Sequence, residues 1–195
     1  MAVRSIAVVS AGLSQPSSTR LLADRLAEAT AAVLDDVRVE VIELRDLAVD
    51  VANNLVTGFP SPQLRAAIDT VTRADGLIAV TPVFTASYSG LFKSFFDVLD
   101  KDALDGKPVL VAATGGTERH SLVLDFALRP LFAYLRATPV ATGVYAASSD
   151  WGSGALQDRV ERAARELAEV VSAAPEAKPA DEYSSVSFEE LLAGE

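Results

Sequence analysis

The chain has no cysteine, and methionine, tryptophan and histidine occur once each in 195 residues. Without thiols there is no disulfide, thiolate nucleophile, zinc–thiolate site or Fe–S cluster, so any redox function must use a borrowed cofactor. Long apolar runs are missing too, and none approaches the roughly 20 residues of a membrane-spanning helix. The opening MAVRSIAVVSA leads straight into an apolar strand without the basic-then-apolar layout of a signal peptide, which predicts a cytoplasmic protein. Basic clusters are absent, and a net charge of −10 argues against nonspecific nucleic-acid binding. Half of that charge lies beyond Ala174, where Glu176, Asp181, Glu182, Glu189, Glu190 and Glu195 face only Lys178.

What is present is an alternation of apolar strands and amphipathic helices on a chain long enough for one well-buried core. Residues 4–10 read as a continuous β-branched strand of the kind covered on both faces. Leu21, Leu22, Leu26, Ala29 and Val33 recur at helical spacing within 17–34. Residues 37–44 alternate as a strand nearer a sheet edge, and 45–60, with Asn53, Asn54, Gly58 and Pro60, read as an irregular excursion. Ser61 and Pro62 open a helix to about Arg73. A strand at 75–81, a helix at 89–100 and a strand at 107–114 follow. The segment 118–136 reads as a long helix that Pro130 must kink or divide, before a fifth strand at 138–147 and a fifth helix at 153–173.

Five strands alternating with five helices predict an α/β doubly wound sandwich around a five-stranded parallel sheet of order 2-1-3-4-5. Ligands of such sheets sit at the carboxyl ends of the strands near the switch point. The domain is expected over 1–174, with 175–195 an acidic tail. In that tail Ser187 and Glu190 have capping-box spacing, which suits either a short docking helix or a frayed terminus.

Three loops fall at those strand ends. The first, SAGLSQPSST, combines Gly12 with hydroxyls at Ser14, Ser17, Ser18 and Thr19 and leads into a helix whose free N–H groups and dipole favour an anion. It has neither the G-x-G-x-x-G of a dinucleotide site nor the Gly-Lys-Ser/Thr of a triphosphate site, so a phosphate monoester fits best; it would also serve as a Ser-capped turn. The second, TPVFTASYSG, sets Pro82, Phe84 and Tyr88 beside Thr85, Ser87 and Ser89. That mix suits a flat ring with a polyhydroxyl chain, or equally a cover for the core. The third, ATGGTERHSL, has Gly115 and Gly116, where a planar ligand can approach the main chain. His120 has no obvious acid or nucleophile partner, and Lys93 belongs on the surface of its helix.

The segments SAGLSQPSSTRLLADRL, TPVFTASYSGLFKSFFDVLD and ATGGTERHSLVLDFALRPLFAYLRATPV resemble the NAD(P)H-dependent FMN reductases of the flavodoxin-like superfold over about residues 4–173. The likeness is strongest to the reductase components of two-component flavin-dependent monooxygenases. It implies a flavodoxin-like fold, FMN as cofactor, NAD(P)H as co-substrate, a partner monooxygenase and a homodimer or homotetramer. Carried over by position, it assigns phosphate contacts to Ser10, Ser14, Ser17, Ser18 and Thr19. Pro82, Val83, Phe84 and Ser87 come from the second loop, and Thr114, Gly115, Gly116 and Thr117 from the third. Many relatives have Tyr followed by Asn or His where this chain has Phe84 and Thr85. No catalytic side chain is implied, because the flavin does the chemistry.

Two other readings use the same residues. Tightly held FMN would suit a quinone, azo or metal reductase, and a flavodoxin-like electron carrier would ignore nicotinamides. A receiver domain of the same topology needs clustered acids after the first strand, where this chain has Ser10, Ala11 and Gly12. For subunit association, the apolar helix Leu91–Leu99 and the segment around Phe132 and Tyr134 suit either a contact surface or the core.

Overall fold

A computed structural model describes residues 3–34 and 36–174. The tail helix expected at Ser187 lies outside the described residues. Strands β1 (Arg4–Ser10), β2 (Val37–Glu43), β3 (Gly76–Phe84) and β5 (Pro108–Gly115) form a parallel sheet in the order β2-β1-β3-β5. Two short strands, β6 (Thr138–Pro139) and β7 (Val144–Ala147), both pair parallel to β5 on its far side. The expected order 2-1-3-4-5 is therefore present, with the fifth position split.

That split has a physical cause at 140–143. The Val140 N–H still donates to the Val109 carbonyl at 2.9 Å, but beyond it side chains replace the ladder: Arg129 donates to the carbonyls of Val140 (2.9 Å) and Ala141 (2.5 Å), and Glu166 accepts from the Thr142 N–H and hydroxyl at 2.6 Å each. Pro139 is tolerated on this outer strand because no further strand needs its missing N–H. Such an interruption also blunts the edge against pairing with another chain. A seventh strand, β4 (Ser87–Tyr88), is antiparallel to the end of β3 and was not foreseen.

Pleating sends alternate residues to opposite faces of the sheet. Ala7, Val9, Leu77, Ala79, Val109 and Val111 pack toward α3 (Pro62–Arg73), α4 (Gly90–Asp97) and α5 (Arg129–Tyr134). Ile6, Val8, Ile78, Val80, Leu110 and Ala112 pack toward α1 (Ser18–Ala31) and α6 (Gly154–Ala173). The first face is rich in aromatics: Phe92 and Phe96 lie 4.8 Å apart by ring centroid, and Phe96 meets Phe132 edge-on at 5.0 Å. Of the two uses open to the helix 91–99 and to Phe132, these phenylalanines are core, whereas Tyr134 is exposed.

One segment differs from its sequence reading, and a second is divided as Pro130 required. Residues 45–60 are no irregular excursion but a 3-10 turn, Leu44–Leu47, followed by α2 (Ala48–Thr57), which stops at Gly58 with φ 77°. The pattern was faint because α2 buries only Val51 and Asn54 and turns Val49, Leu55 and Val56 outward. The expected helix 118–136 is divided: a 3-10 turn at Glu118–His120, a π turn at Leu124–Leu128, and α5 with Pro130 in its first turn. Pro130 has no N–H to continue an α-helical ladder, and the Arg129 N–H reaches back five residues to Leu124.

Candidate functional site

Register brings the three loops together. Ser10 at the end of β1 is level with Val80 of β3, and Pro82 of β3 is level with Thr114 of β5. The loops after β1, β3 and β5 thus open side by side at the carboxyl edge of the sheet. Two clefts lie apart from this edge. One, about 190 Å³, sits at the opposite end of β1 beside Arg38 and Arg73, and another, about 350 Å³, lies between α1 and α6.

In the first loop the hydroxyls have divided roles. Ser17 is the N-cap of α1, its Oγ accepting from the Arg20 N–H at 3.2 Å. Gly12 is required here by close approach, since a Cβ would stand 2.1 Å from Ser17 Oγ. Thr19 is buried, and its Oγ1 shares a 2.8 Å hydrogen bond with Thr114 Oγ1, tying the first loop to the third. Ser14 and Ser18 are exposed. Ser10 is fully buried, and its hydroxyl has no hydrogen-bond partner among the described residues.

The second loop is a two-residue hairpin. Val83 pairs with Tyr88 and Phe84 with Ser87, while Thr85 (φ 49°) and Ala86 (φ 66°) hold the left-handed conformation of a primed turn. Pro82, Val83 and Ser87 are half-buried and Phe84 is exposed. The hairpin is anchored from below: the buried Thr81 hydroxyl accepts from the Ser89 N–H at 3.0 Å and donates to the Pro82 carbonyl at 2.9 Å, and Ser89 caps α4 by accepting from Phe92. Lys93 lies on the outer side of α4, paired with Asp97 at 2.5 Å, which raises its pKa.

In the third loop Thr114 is buried, Gly115 half-buried, and Gly116 and Thr117 exposed. The Tyr145 hydroxyl, rising from β7, donates to the Thr117 carbonyl at 2.7 Å. Burial, with the nearby Glu118 and Asp150 charges, pushes this phenol above its ordinary pKa. The Ser149 hydroxyl, donating to Glu118, holds that exposed carboxylate below its ordinary range. The His120 ring makes no hydrogen bond or ion pair among the described residues, in keeping with a peripheral position.

Two residues at this edge escaped the sequence reading. Tyr145 was hidden in a strand, where its size looks like core. Arg45, in the 3-10 turn after β2, reaches the first loop: its Nη1 lies 3.4 Å from the Ser14 carbonyl. With its amide turned so that the carbonyl faces the guanidinium, Gln15 accepts from the same nitrogen at 2.7 Å. Arg45 also lies 3.4 Å from Glu43, which in turn pairs with Arg20 at 2.7 Å. The loop without lysine therefore has a guanidinium beside it, contributed by the segment whose helical character was faint.

The residues present suit a flat ligand with an anionic end: a buried hydroxyl unpartnered among the described residues and a helix N-terminus at one side, and bare main chain at Gly116 on the other.

Comparison with known proteins agrees with this chemistry. A profile described as NADPH-dependent FMN reductase matches residues 4–152. The chain is 41% identical over 169 residues to an FMN reductase (NADPH) of Pseudomonas aeruginosa, covering 84% of this chain and 90% of that one. It is 40% identical over 141 residues to the NADH-dependent FMN reductase SfnF of Pseudomonas putida, covering 72% and 76%. Among solved structures, an oxidoreductase from Corynebacterium diphtheriae superposes with TM-score 0.87 at 47% identity, covering 89% of this chain and 99% of that one. A WrbA-like flavodoxin from Agrobacterium tumefaciens shares the fold alone, with TM-score 0.61 at 19% identity over 88% of this chain and 98% of that one.

Proposed function

The chain belongs to the NADPH-dependent FMN reductase family, and from that premise we propose that it is an NAD(P)H:FMN oxidoreductase whose reduced flavin passes to a partner flavin-dependent monooxygenase. The observation that carries this is the convergence of the three loops at one sheet edge, with Ser10 Oγ unpartnered among the described residues and Gly116 open. The three loops would hold FMN, which when bound would supply the redox chemistry as acceptor of the nicotinamide's hydride.

The protein's part is to hold and orient. Ser14 and Ser18 would meet the phosphate with their hydroxyls, together with the N–H groups that open α1 and the Ser10 hydroxyl once it turns toward the ligand. Ser17 and Thr19 would act chiefly through their main chain, because their side chains are engaged as cap and as the link to Thr114. Pro82, Val83, Phe84 and Ser87 would flank the ribityl chain and ring, and Thr114, Gly115, Gly116 and Thr117 the ring's other edge. Donors aimed at the ring from the third loop would favour the negative charge that reduction places there. The hairpin and Phe84 would exclude water from one side.

Release to a partner is supported by the phosphate loop's composition, which has hydroxyls and a flanking Arg45 but no lysine within it. Flavin-free protein is expected to bind FMN reversibly, so that desalting strips it, and to sustain a flavin-dependent monooxygenase when NADH or NADPH is supplied. FMN retained through desalting, with no support of the monooxygenase, would refute the transfer role.

Self-association is part of the same proposal. Val56, Phe59, Phe126 and Tyr134 are 88%, 82%, 78% and 86% exposed, and these large apolar side chains are the surface a neighbouring subunit would cover. Light scattering is expected to give a dimer or tetramer at micromolar concentration, and a monomer would remove this part.

A further inference from the structure

Two glycines follow one another at the end of β5 with different neighbours. A Cβ on Gly115 would stand 2.1 Å from Tyr145 Oη and 3.1 Å from its Cζ, whereas a Cβ on Gly116 would have nothing within 4 Å. Tyr145 cannot simply step aside. It is 7% exposed, pairs in register with Ala113 of β5, and its hydroxyl is committed to the Thr117 carbonyl at 2.7 Å. Swinging the ring away would break that bond and leave the phenol of a buried side chain to find a new partner.

We infer that Tyr145 is a positioning residue that clamps the Gly115–Thr117 turn, and that Gly115 is glycine because the phenol occupies its Cβ space, leaving Gly116 as the glycine whose bare main chain serves the ligand. This rests on the flavin reading above. The phenol passes against the turn at Gly115 and is bonded beyond it at Thr117, so it fixes both ends of the only residue between them. Its effect should fall on the part of the ligand that meets the third loop and spare the part that meets the first.

The test uses Tyr145→Phe, Gly115→Ala, the two combined, and Gly116→Ala, each followed by thermal unfolding, by fluorescence titration with FMN and with riboflavin, and by steady-state kinetics. Tyr145→Phe should fold and weaken FMN and riboflavin alike by about fivefold, the loss expected for one hydrogen bond, raising KM for FMN more than it lowers kcat. Gly115→Ala should melt lower than wild type. Adding Tyr145→Phe should restore most of that loss, since the nearest remaining ring carbon needs to shift only slightly. Gly116→Ala should melt as wild type yet lose about tenfold or more in flavin affinity.

Unchanged affinity for both flavins in Tyr145→Phe, or a double variant no more stable than Gly115→Ala, would overturn the clamp. Wild-type protein that binds neither flavin would overturn the flavin reading and the role given to Gly116, while the recovery of melting temperature in the double variant would still decide whether Tyr145 is what requires Gly115.

Discussion

Ser10 and Ser17 lie on the same loop in opposite hydrogen-bonding states. Ser17 is satisfied as the cap of α1, and Ser17→Ala should cost about 1 kcal/mol in urea unfolding. Ser10 is buried without a partner among the described residues, which costs folding free energy unless a ligand uses it. Ser10→Ala is therefore expected to leave urea stability unchanged or raise it by up to about 1 kcal/mol, while FMN affinity falls. A clear loss of stability in Ser10→Ala would contradict this account. A similar tension sits at Thr85 and Ala86, both with positive φ in the hairpin over the site. Ala86→Gly should raise stability by about 0.5–1 kcal/mol, because glycine escapes the Cβ clash of that conformation at a smaller entropic cost. Thr85 is β-branched, so the left-handed conformation is costlier there than at an unbranched residue.

Elements were legible in proportion to how much of them is buried. β1, β3 and β5 appear in sequence as largely apolar runs because helices cover both their faces, and α1 and α6 show a periodic stripe because one face of each is buried. α2 was missed because most of its apolar side chains face outward, and β4 because two residues in a primed turn without Asn-Gly leave no hairpin signal. The three site loops could be named from their composition, but not the division of labour within them. Which serine caps, which threonine bridges to Thr114 and which glycine faces Tyr145 depend on contacts between residues distant in sequence. Arg45 was likewise invisible, since nothing in the sequence places the turn after β2 beside Ser14.

Packing of these elements gives two further tests. Phe96 is buried among Phe92, Phe95 and Phe132, and Phe96→Ala should cost about 3–5 kcal/mol in denaturant unfolding. At the opposite end of the sheet from the site, Lys107 closes the end of α3 by donating its Nζ to the carbonyls of Thr72 and Ala74. Burial lowers its pKa from the ordinary 10.5 to about 8, against the opposing pull of Asp75. Below the folded value both states hold the proton; between about 8 and 10.5 the unfolded chain binds it and the folded protein does not, so stability rises with pH across that window. Denaturant midpoints measured through this range should climb for wild type and stay flat at this step for Lys107→Met.

For the whole molecule, the absence of cysteine and of a paired catalytic histidine has a common meaning. A member of the FMN reductase family needs neither, because the flavin carries the redox chemistry, and we propose that the flavin is held at the three adjacent strand ends. No helix among the described residues is long and apolar enough to cross a membrane. The central claim is tested most directly by following the oxidation of NADH and of NADPH by flavin-free protein as FMN is added. The account predicts turnover that requires FMN and saturates with it, and that falls in Gly116→Ala. Nicotinamide oxidation no faster than in FMN solution without protein, with either nucleotide, would contradict it.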